Sequence, residues 1–142
     1  MIQDDEERLG LFSNFLSSYN FDNITRTSQF CRWDIESTYK NTKCLFEVKY
    51  RPTNHDNYFN DTIIEYDKYL ALKQQPHKVY VVNIFNDGYL TVIPLEAEHE
   101  LQEKYCQKTN NWDRTKVKKT LVSYPNLDKY VYDYTYLVLQ KS

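Results

Sequence analysis

Leu9, Phe12, Phe15, Leu16 and Tyr19 recur at helical spacing, so residues 5–19 are expected to form a helix with one apolar stripe. Acidic residues crowd its first turn, where the helix dipole favours them. Asn20 to Ser28 is polar and reads as a loop. From Phe30 to Thr38, and again from Lys43 to Arg51, aromatic and β-branched residues alternate with polar ones, the period of a strand. Tyr39 to Thr42 turns between them, and Pro52 ends the second strand. Asp61 to Gln75 carries Ile64, Tyr69 and Leu72 and is expected to be a second helix, stopped by Pro76. Lys78 to Phe85 contains VYVVNIF, nearly continuous in apolar residues, as in a strand buried on both faces. Asn86-Asp87-Gly88 is a hairpin signal, with Tyr89 to Leu95 as the returning strand. Glu96 to Gln107 reads as a charged helix, Thr109 to Thr115 as a loop, and Val117 to Tyr124 as a further strand. The expected order is α-β-β-α-β-β-α followed by a Tyr-rich tail, an α/β chain of mixed α+β type.

The first two strands allow a finer expectation. A two-residue turn at Lys40-Asn41 places Ile35 opposite Phe46, Trp33 opposite Val48 and Asp34 opposite Glu47. Opposed residues share a face and parity alternates along each strand. Trp33, Ile35, Phe46 and Val48 would then face the core, with Asp34, Glu36, Glu47 and Lys49 on the other side. Two opposed carboxylates repel. Lys49 offsets part of that repulsion, and a hard divalent cation, which binds through one or two carboxylates plus water and phosphate, would offset the rest. A plain solvated strand face is the alternative.

Composition narrows the class. The chain has 142 residues, 41% hydrophobic and 27% charged, which suits one folded domain over 1–142, with a core at about 5–124 and a tail at 125–142. No apolar run approaches the ~20 residues of a membrane helix, and MIQDDEERLG holds no signal segment. The cytoplasm of the cell that makes it is the expected location. The net charge of −2 argues against coating nucleic acid by bulk charge, but leaves room for a local basic patch. Cys31, Cys44 and Cys106 are odd in number, widely spaced and without CxxC, so small buried hydrophobes are expected rather than a zinc site. His55, His77 and His99 are scattered and suggest no metal cluster.

Asp34, followed by Glu47-Val48-Lys49, resembles the motif of the PD-(D/E)XK nuclease superfamily, in which an acidic residue on one strand precedes (Asp/Glu)-x-Lys on the next. FEVKYR, a loop and then NDTIIEYDKYLAL are similar to small nucleases of bacteriophages, as is KTNNWDRTKVKKTLVSYPNLD, so the likeness spans residues 5–128. The Pro that names the motif is absent, with Arg32-Trp33 before Asp34, a departure that is common in the superfamily. The resemblance implies a restriction-endonuclease-like core, α-β-β-β-α-β with variations, whose central mixed sheet is flanked by helices. It implies Mg²⁺, with Mn²⁺ as a substitute, held by Asp34, Glu47 and the backbone carbonyl of Val48, and no organic cofactor. Lys49 would orient or deprotonate the attacking water and stabilise the charged transition state. Glu65 and Lys68, at (i, i+3) on the second helix, would be auxiliary catalytic residues, with a surface ion pair as the alternative. Glu6 or Glu7 would add a carboxylate or, alternatively, cap the first helix.

Arg51, Arg114, Lys116, Lys118 and Lys119 form a basic set which, with Asn110, Asn111 and Trp112, suits a phosphate backbone and an unstacked base, with ordinary solvated charge as the alternative. Tyr130, Tyr132, Tyr134 and Tyr136 alternate; packing on the body or on a partner subunit is the first expectation for this stripe, ahead of base stacking. Nucleases of this fold are often homodimers, because two sites must cut two strands. The expected function is Mg²⁺-dependent hydrolysis of DNA phosphodiester bonds, branched or junction DNA included. The alternatives are a catalytically silent nucleic-acid-binding or assembly module on the same fold, and an unrelated α+β interaction protein with a chance motif.

Overall fold

The structure is a computed structural model and describes residues 5–28, 31–55, 61–107, 116–125 and 128–134. The element order is α1 (Asp5–Ser18), β1 (Asp22–Arg26), β2 (Ile35–Tyr39), β3 (Thr42–Arg51), β4 (Asp61–Glu65), α2 (Tyr66–Lys73), β5 (Lys78–Phe85), β6 (Tyr89–Pro94), β7 (Glu100–Gln107), β8 (Lys116–Pro125) and β9 (Val131–Asp133). Six strands form a central sheet in the order β1-β2-β3-β5-β6-β9, and β4-β8-β7 form a second sheet. The β3–β5 pair is parallel and its neighbours are antiparallel, so the central sheet is mixed. This is the expected mixed α+β class. The α-β-β-β-α-β core is present as α1-β1-β2-β3-α2-β5, with β4 set aside into the second sheet.

α1 forms as its spacing predicts. Phe12, Phe15 and Leu16 are buried, with Leu11 beside them. Its end is set by Asn20, whose φ is 66°. The Phe21 N–H reaches the Leu16 carbonyl and the Asn20 N–H the Ser17 carbonyl, the double bond of a Schellman stop. That stop feeds the chain straight into β1, where the sequence had suggested only a loop. β1 is a polar edge strand held by its ladder to β2, with a register shift between Asp22 and Thr25. Hydrophobic periodicity cannot report such a strand.

The β2–β3 hairpin has the expected register, with Ile35 opposite Phe46 and Tyr39 opposite Thr42. Lys40 and Asn41 both take positive φ, 48° and 66°, the pattern of a type I′ turn whose twist matches the strands.

Two further segments differ from expectation. Residues 61–65, expected as the start of a helix, form β4. Thr62, Ile63 and Ile64 are β-branched and pair with β8, and the helix begins only at Tyr66. Residues 96–107, expected as a charged helix, instead supply β7, which pairs along β8 from Glu100 to Gln107. Its ladder, rather than an apolar face, decides its form. The expected closing helix is therefore a strand, while Val117–Tyr124 lies within β8 as expected. Residues 109–115 lie outside the described residues.

Both faces of the central sheet are covered. α1 seals one over Ile35, Phe46, Val48, Val82 and Ile84. α2 and the second sheet seal the other over Leu45, Val79, Val81 and Ile93, with Leu72, Val122 and Tyr124 packed on them. The tail joins this body: β9 pairs with β6, and Tyr134 is 3% exposed. Tyr132 and Tyr134 pack on the α1 side and Tyr130 on the other, so the tyrosines do pack on the body but not as one stripe. Tyr136 lies outside the described residues. Among the described residues no helix is long and apolar enough to cross a membrane.

Candidate active site

β3 projects Glu47, Lys49 and Arg51 to one side, as alternate residues of a strand must. That side is covered by α2 and β4, which makes Glu47 unusual: it is 3% exposed. A buried carboxylate is costly unless charge and hydrogen bonds meet it. Lys68 Nζ, from the first turn of α2, lies 2.5 Å from Glu47 Oε1, and Lys49 Nζ lies 3.4 Å from the same oxygen. The lysine side chains are 29% and 47% exposed, so they carry the buried charge out to solvent.

Asp34 joins this group by a different contact from the one expected. The regular ladder stops at Ile35 opposite Phe46. One residue earlier, the Asp34 N–H goes to the Phe46 carbonyl at 2.8 Å. Its carboxylate then accepts the Val48 N–H at 2.7 Å through Oδ2. Asp34 thus clasps the backbone between Glu47 and Lys49 rather than standing opposite Glu47 in the ladder. The same break turns Trp33, expected on the Ile35 face, to the other side of the sheet. There it packs under α2, and its indole N–H donates to Glu36 at 2.8 Å. Glu36 also pairs with Lys43 at 3.4 Å.

Glu65 closes β4 and stands at the N-cap of α2, with no side-chain cap bond. It is not on the helix with Lys68, as expected, yet it belongs to the same field. Lys119 Nζ, from β8, lies 2.8 Å from its Oε1. That hydrogen bond, with Lys68 and Lys49 adding charge, holds the Glu65 carboxyl below the usual carboxylate range. Asp34, Glu47, Val48, Lys49, Glu65, Lys68 and Lys119 are therefore linked through the meeting of β3, β4, α2 and β8. Glu6 is engaged elsewhere, in an ion pair with Arg26 of β1.

Of the expected basic set, Arg51 and Lys119 have described side chains. Lys116 and Lys118 sit on β8, but their side chains, and Arg114 altogether, lie outside the described residues. Arg51 Nε donates to Asn83 Oδ1 at 3.1 Å. Asn83 was not singled out from sequence, though a lone amide within VYVVNIF is a signal in itself. It is 0% exposed and bonded to Thr62 and Thr91.

The histidines have other partners: His55 meets Asp87 at 2.6 Å, and His99 meets the Ala97 carbonyl at 2.7 Å. A cavity of about 430 Å³ at the start of β5, lined by Lys73, His77 and Lys78 among others, includes none of the candidate residues. Among the described residues no three His, Cys, Asp or Glu side chains gather to hold a metal ion. The oxygens near one another that could hold such an ion are those of the Asp34 and Glu47 carboxylates and the Val48 carbonyl. Both lysines use Oε1 of Glu47 and the amide uses Oδ2 of Asp34. Glu47 Oε2, Asp34 Oδ1 and the Val48 carbonyl could offer oxygens to a hard cation, which would complete its shell with water and phosphate.

No family model and no curated protein matches the chain. Among solved structures it is similar to Hjc, a Holliday junction resolvase from the archaeal hyperthermophile Archaeoglobus fulgidus, at 16% sequence identity and a TM-score of 0.49, over 80% of this chain and 82% of that one.

Proposed function

We propose that the chain is a divalent-cation-dependent nuclease that hydrolyses phosphodiester bonds of DNA, with branched or junction DNA among its substrates. The observation that carries this reading is the buried Glu47 carboxylate shared by Lys68 and Lys49, beside an Asp34 that clasps the intervening amide. A stabilising ion pair needs neither the second carboxylate nor the second lysine. Metal-assisted phosphoryl transfer uses carboxylates to hold a cation and a positive group at the developing charge, and this cluster supplies both kinds of group. The likeness of Asp34 and Glu47-Val48-Lys49 to the PD-(D/E)XK motif supports the same reading.

Asp34, Glu47 and the Val48 carbonyl would hold Mg²⁺ or Mn²⁺. When bound, such an ion lowers the pKa of an attached water and neutralises charge building on phosphate oxygens. Lys49, half in solvent and tethered to Glu47, orients the attacking water and takes up negative charge as the transition state forms. Lys68 neutralises Glu47 from the protein side, and Glu65 keeps Lys119 poised at the mouth. One water oxygen bonds to phosphorus and one phosphorus–ester oxygen bond breaks. The departing oxygen receives a proton, leaving a phosphomonoester and an alcohol. Arg51 and the β8 lysines Lys116, Lys118 and Lys119 would contact the phosphate backbone. The proposed assembly on a two-stranded substrate is a homodimer, which sedimentation of the chain with and without DNA tests.

The experiment is a cleavage assay with Mg²⁺ or Mn²⁺ over linear, nicked, branched and single-stranded DNA and over RNA, with Lys49→Ala as control. Metal-dependent cutting of DNA that the variant lacks supports the reading. DNA binding without cutting, and without Mn²⁺ uptake in calorimetry, replaces it with a silent binding module.

A further inference from the structure

Behind the proposed site lies a closed polar cluster in an otherwise apolar layer. Asn83 stands in the middle of β5, 0% exposed, with Thr62 of β4 at 0% and Thr91 of β6 at 3%. Asn83 Nδ2 donates to Thr62 Oγ1 at 2.7 Å and to Thr91 Oγ1 at 3.1 Å. Both amide hydrogens are thereby used, and Oδ1 is turned toward β3, where it accepts the Arg51 Nε–H at 3.1 Å. The orientation of the amide is fixed by chemistry. A guanidinium only donates, so the oxygen must face Arg51 and the nitrogen must face the two hydroxyls.

The register gives the cluster a direction. Arg51 is paired with Phe85, and Asn83 is paired with Lys49. To reach Asn83, the Arg51 side chain turns back two register pairs along the sheet, toward Lys49 and Glu47. Apolar residues of the same size often replace satisfied buried polar groups at little cost in stability, whereas a satisfied network fixes its members in place. What this network supplies is a guanidinium held in one place.

We infer that Asn83 is a positioning residue, and that it holds Arg51 beside Lys49 as the guanidinium that takes up charge on the phosphate being cut. The inference rests on the nuclease reading above. Arg51 then acts at the reacting group and not merely along the backbone of the bound nucleic acid. A fixed guanidinium needs no reorganisation as charge builds on the phosphate oxygens, so its effect falls on the chemical step more than on binding.

The test combines single-turnover cleavage in Mg²⁺, DNA affinity with Ca²⁺ in place of Mg²⁺, and the NMR signal of the Arg51 Nε–H in the free protein. Arg51→Ala is expected to slow cleavage about 100-fold while weakening affinity by less than about tenfold. Asn83→Leu should slow cleavage by a smaller factor, and the double variant should be no slower than Arg51→Ala alone. Asn83→Asp, which keeps an acceptor for Arg51, should regain most of the rate lost in Asn83→Leu. In the free protein, Asn83→Leu should shift the Nε–H signal and speed its exchange with solvent. Losses that multiply in the double variant, or an Nε–H signal unchanged in Asn83→Leu, overturn the inference. If Asn83→Leu does not fold, Asn83→Ser takes its place in the comparison, with Asn83→Asp still as the variant that keeps the acceptor. If the wild-type chain cuts no DNA at all, the nuclease reading fails, and the Nε–H signal still decides whether Asn83 fixes Arg51.

Discussion

Lys68 Nζ lies 2.5 Å from Oε1 of Glu47, a carboxylate whose side chain is only 4% exposed. The contact joins α2 to the middle of the central sheet across 21 residues of chain. Taking the lysine away leaves the buried charge with Lys49 alone, at 3.4 Å. Lys68→Ala should therefore lower stability by about 1–3 kcal/mol, read as a shift of the urea midpoint at neutral pH. Mg²⁺ should return part of that loss, because the cation would meet the same carboxylate. A variant as stable as the wild type without metal would mean that Glu47 is better solvated than its burial suggests.

Lys49 has the opposite profile. Its side chain is 47% exposed, and its partner is already bonded to Lys68. Lys49→Ala should leave the melting midpoint nearly unchanged. As the residue proposed to act on the attacking water, it should slow single-turnover cleavage by about 10²–10⁴-fold. Affinity for uncut DNA in Ca²⁺ should change only a few-fold. Cleavage within about tenfold of wild type by the purified variant would remove Lys49 from the chemistry.

Asp34 can be separated from its structural duty. Its Oδ2 accepts the Val48 N–H at 2.7 Å, a bond that an amide oxygen can also accept. Asp34→Asn should therefore keep the fold and the β3 backbone in place, cost ~1 kcal/mol or less, and lose most of the affinity for Mn²⁺ in calorimetry. Unchanged Mn²⁺ affinity would show that the cation is held elsewhere.

The sequence was most informative where two signals coincided. The β2–β3 register followed from a two-residue turn and alternating faces, and both Lys40 and Asn41 adopt the turn's positive φ. It failed where hydrogen bonds to a distant strand decide the form. β1, β4 and β7 are held by ladders to β2 and β8, and their own residues carry weak or misleading periodicity. The candidate site shows the same division. Glu47, Lys49 and Lys68 were legible from the motif and its following helix. The clasp of Asp34 on Val48 was not, because it depends on the ladder ending one residue early, at Ile35. Nor was the Glu65–Lys119 pair, which joins residues 54 apart through a β4–β8 pairing that periodicity had hidden under a helix.

The alkaline limit of the fold should be set by buried phenols. Tyr134 is 3% exposed, and its hydroxyl donates to the Phe85 carbonyl. Burial, with Asp87 and Tyr50 adding negative charge, pushes its pKa up to about 12 against the bond from Gly88. An unfolded tyrosine ionises near ~10. The folded value is the higher one, so the stabilisation is fully present below pH ~10 and is lost as pH rises toward about 12. The difference is on the order of 2 kcal/mol by linkage. Tyr124 and Tyr80 are raised by burial as well and add to the same slope. Tyr134→Phe should cost about 1 kcal/mol at neutral pH, through the lost bond to Phe85, yet decline less steeply above pH ~10. Urea midpoints across that window, together with phenolate absorbance, measure both effects. A decline as steep in Tyr134→Phe as in the wild type would assign the alkaline transition to Tyr124 and Tyr80 instead.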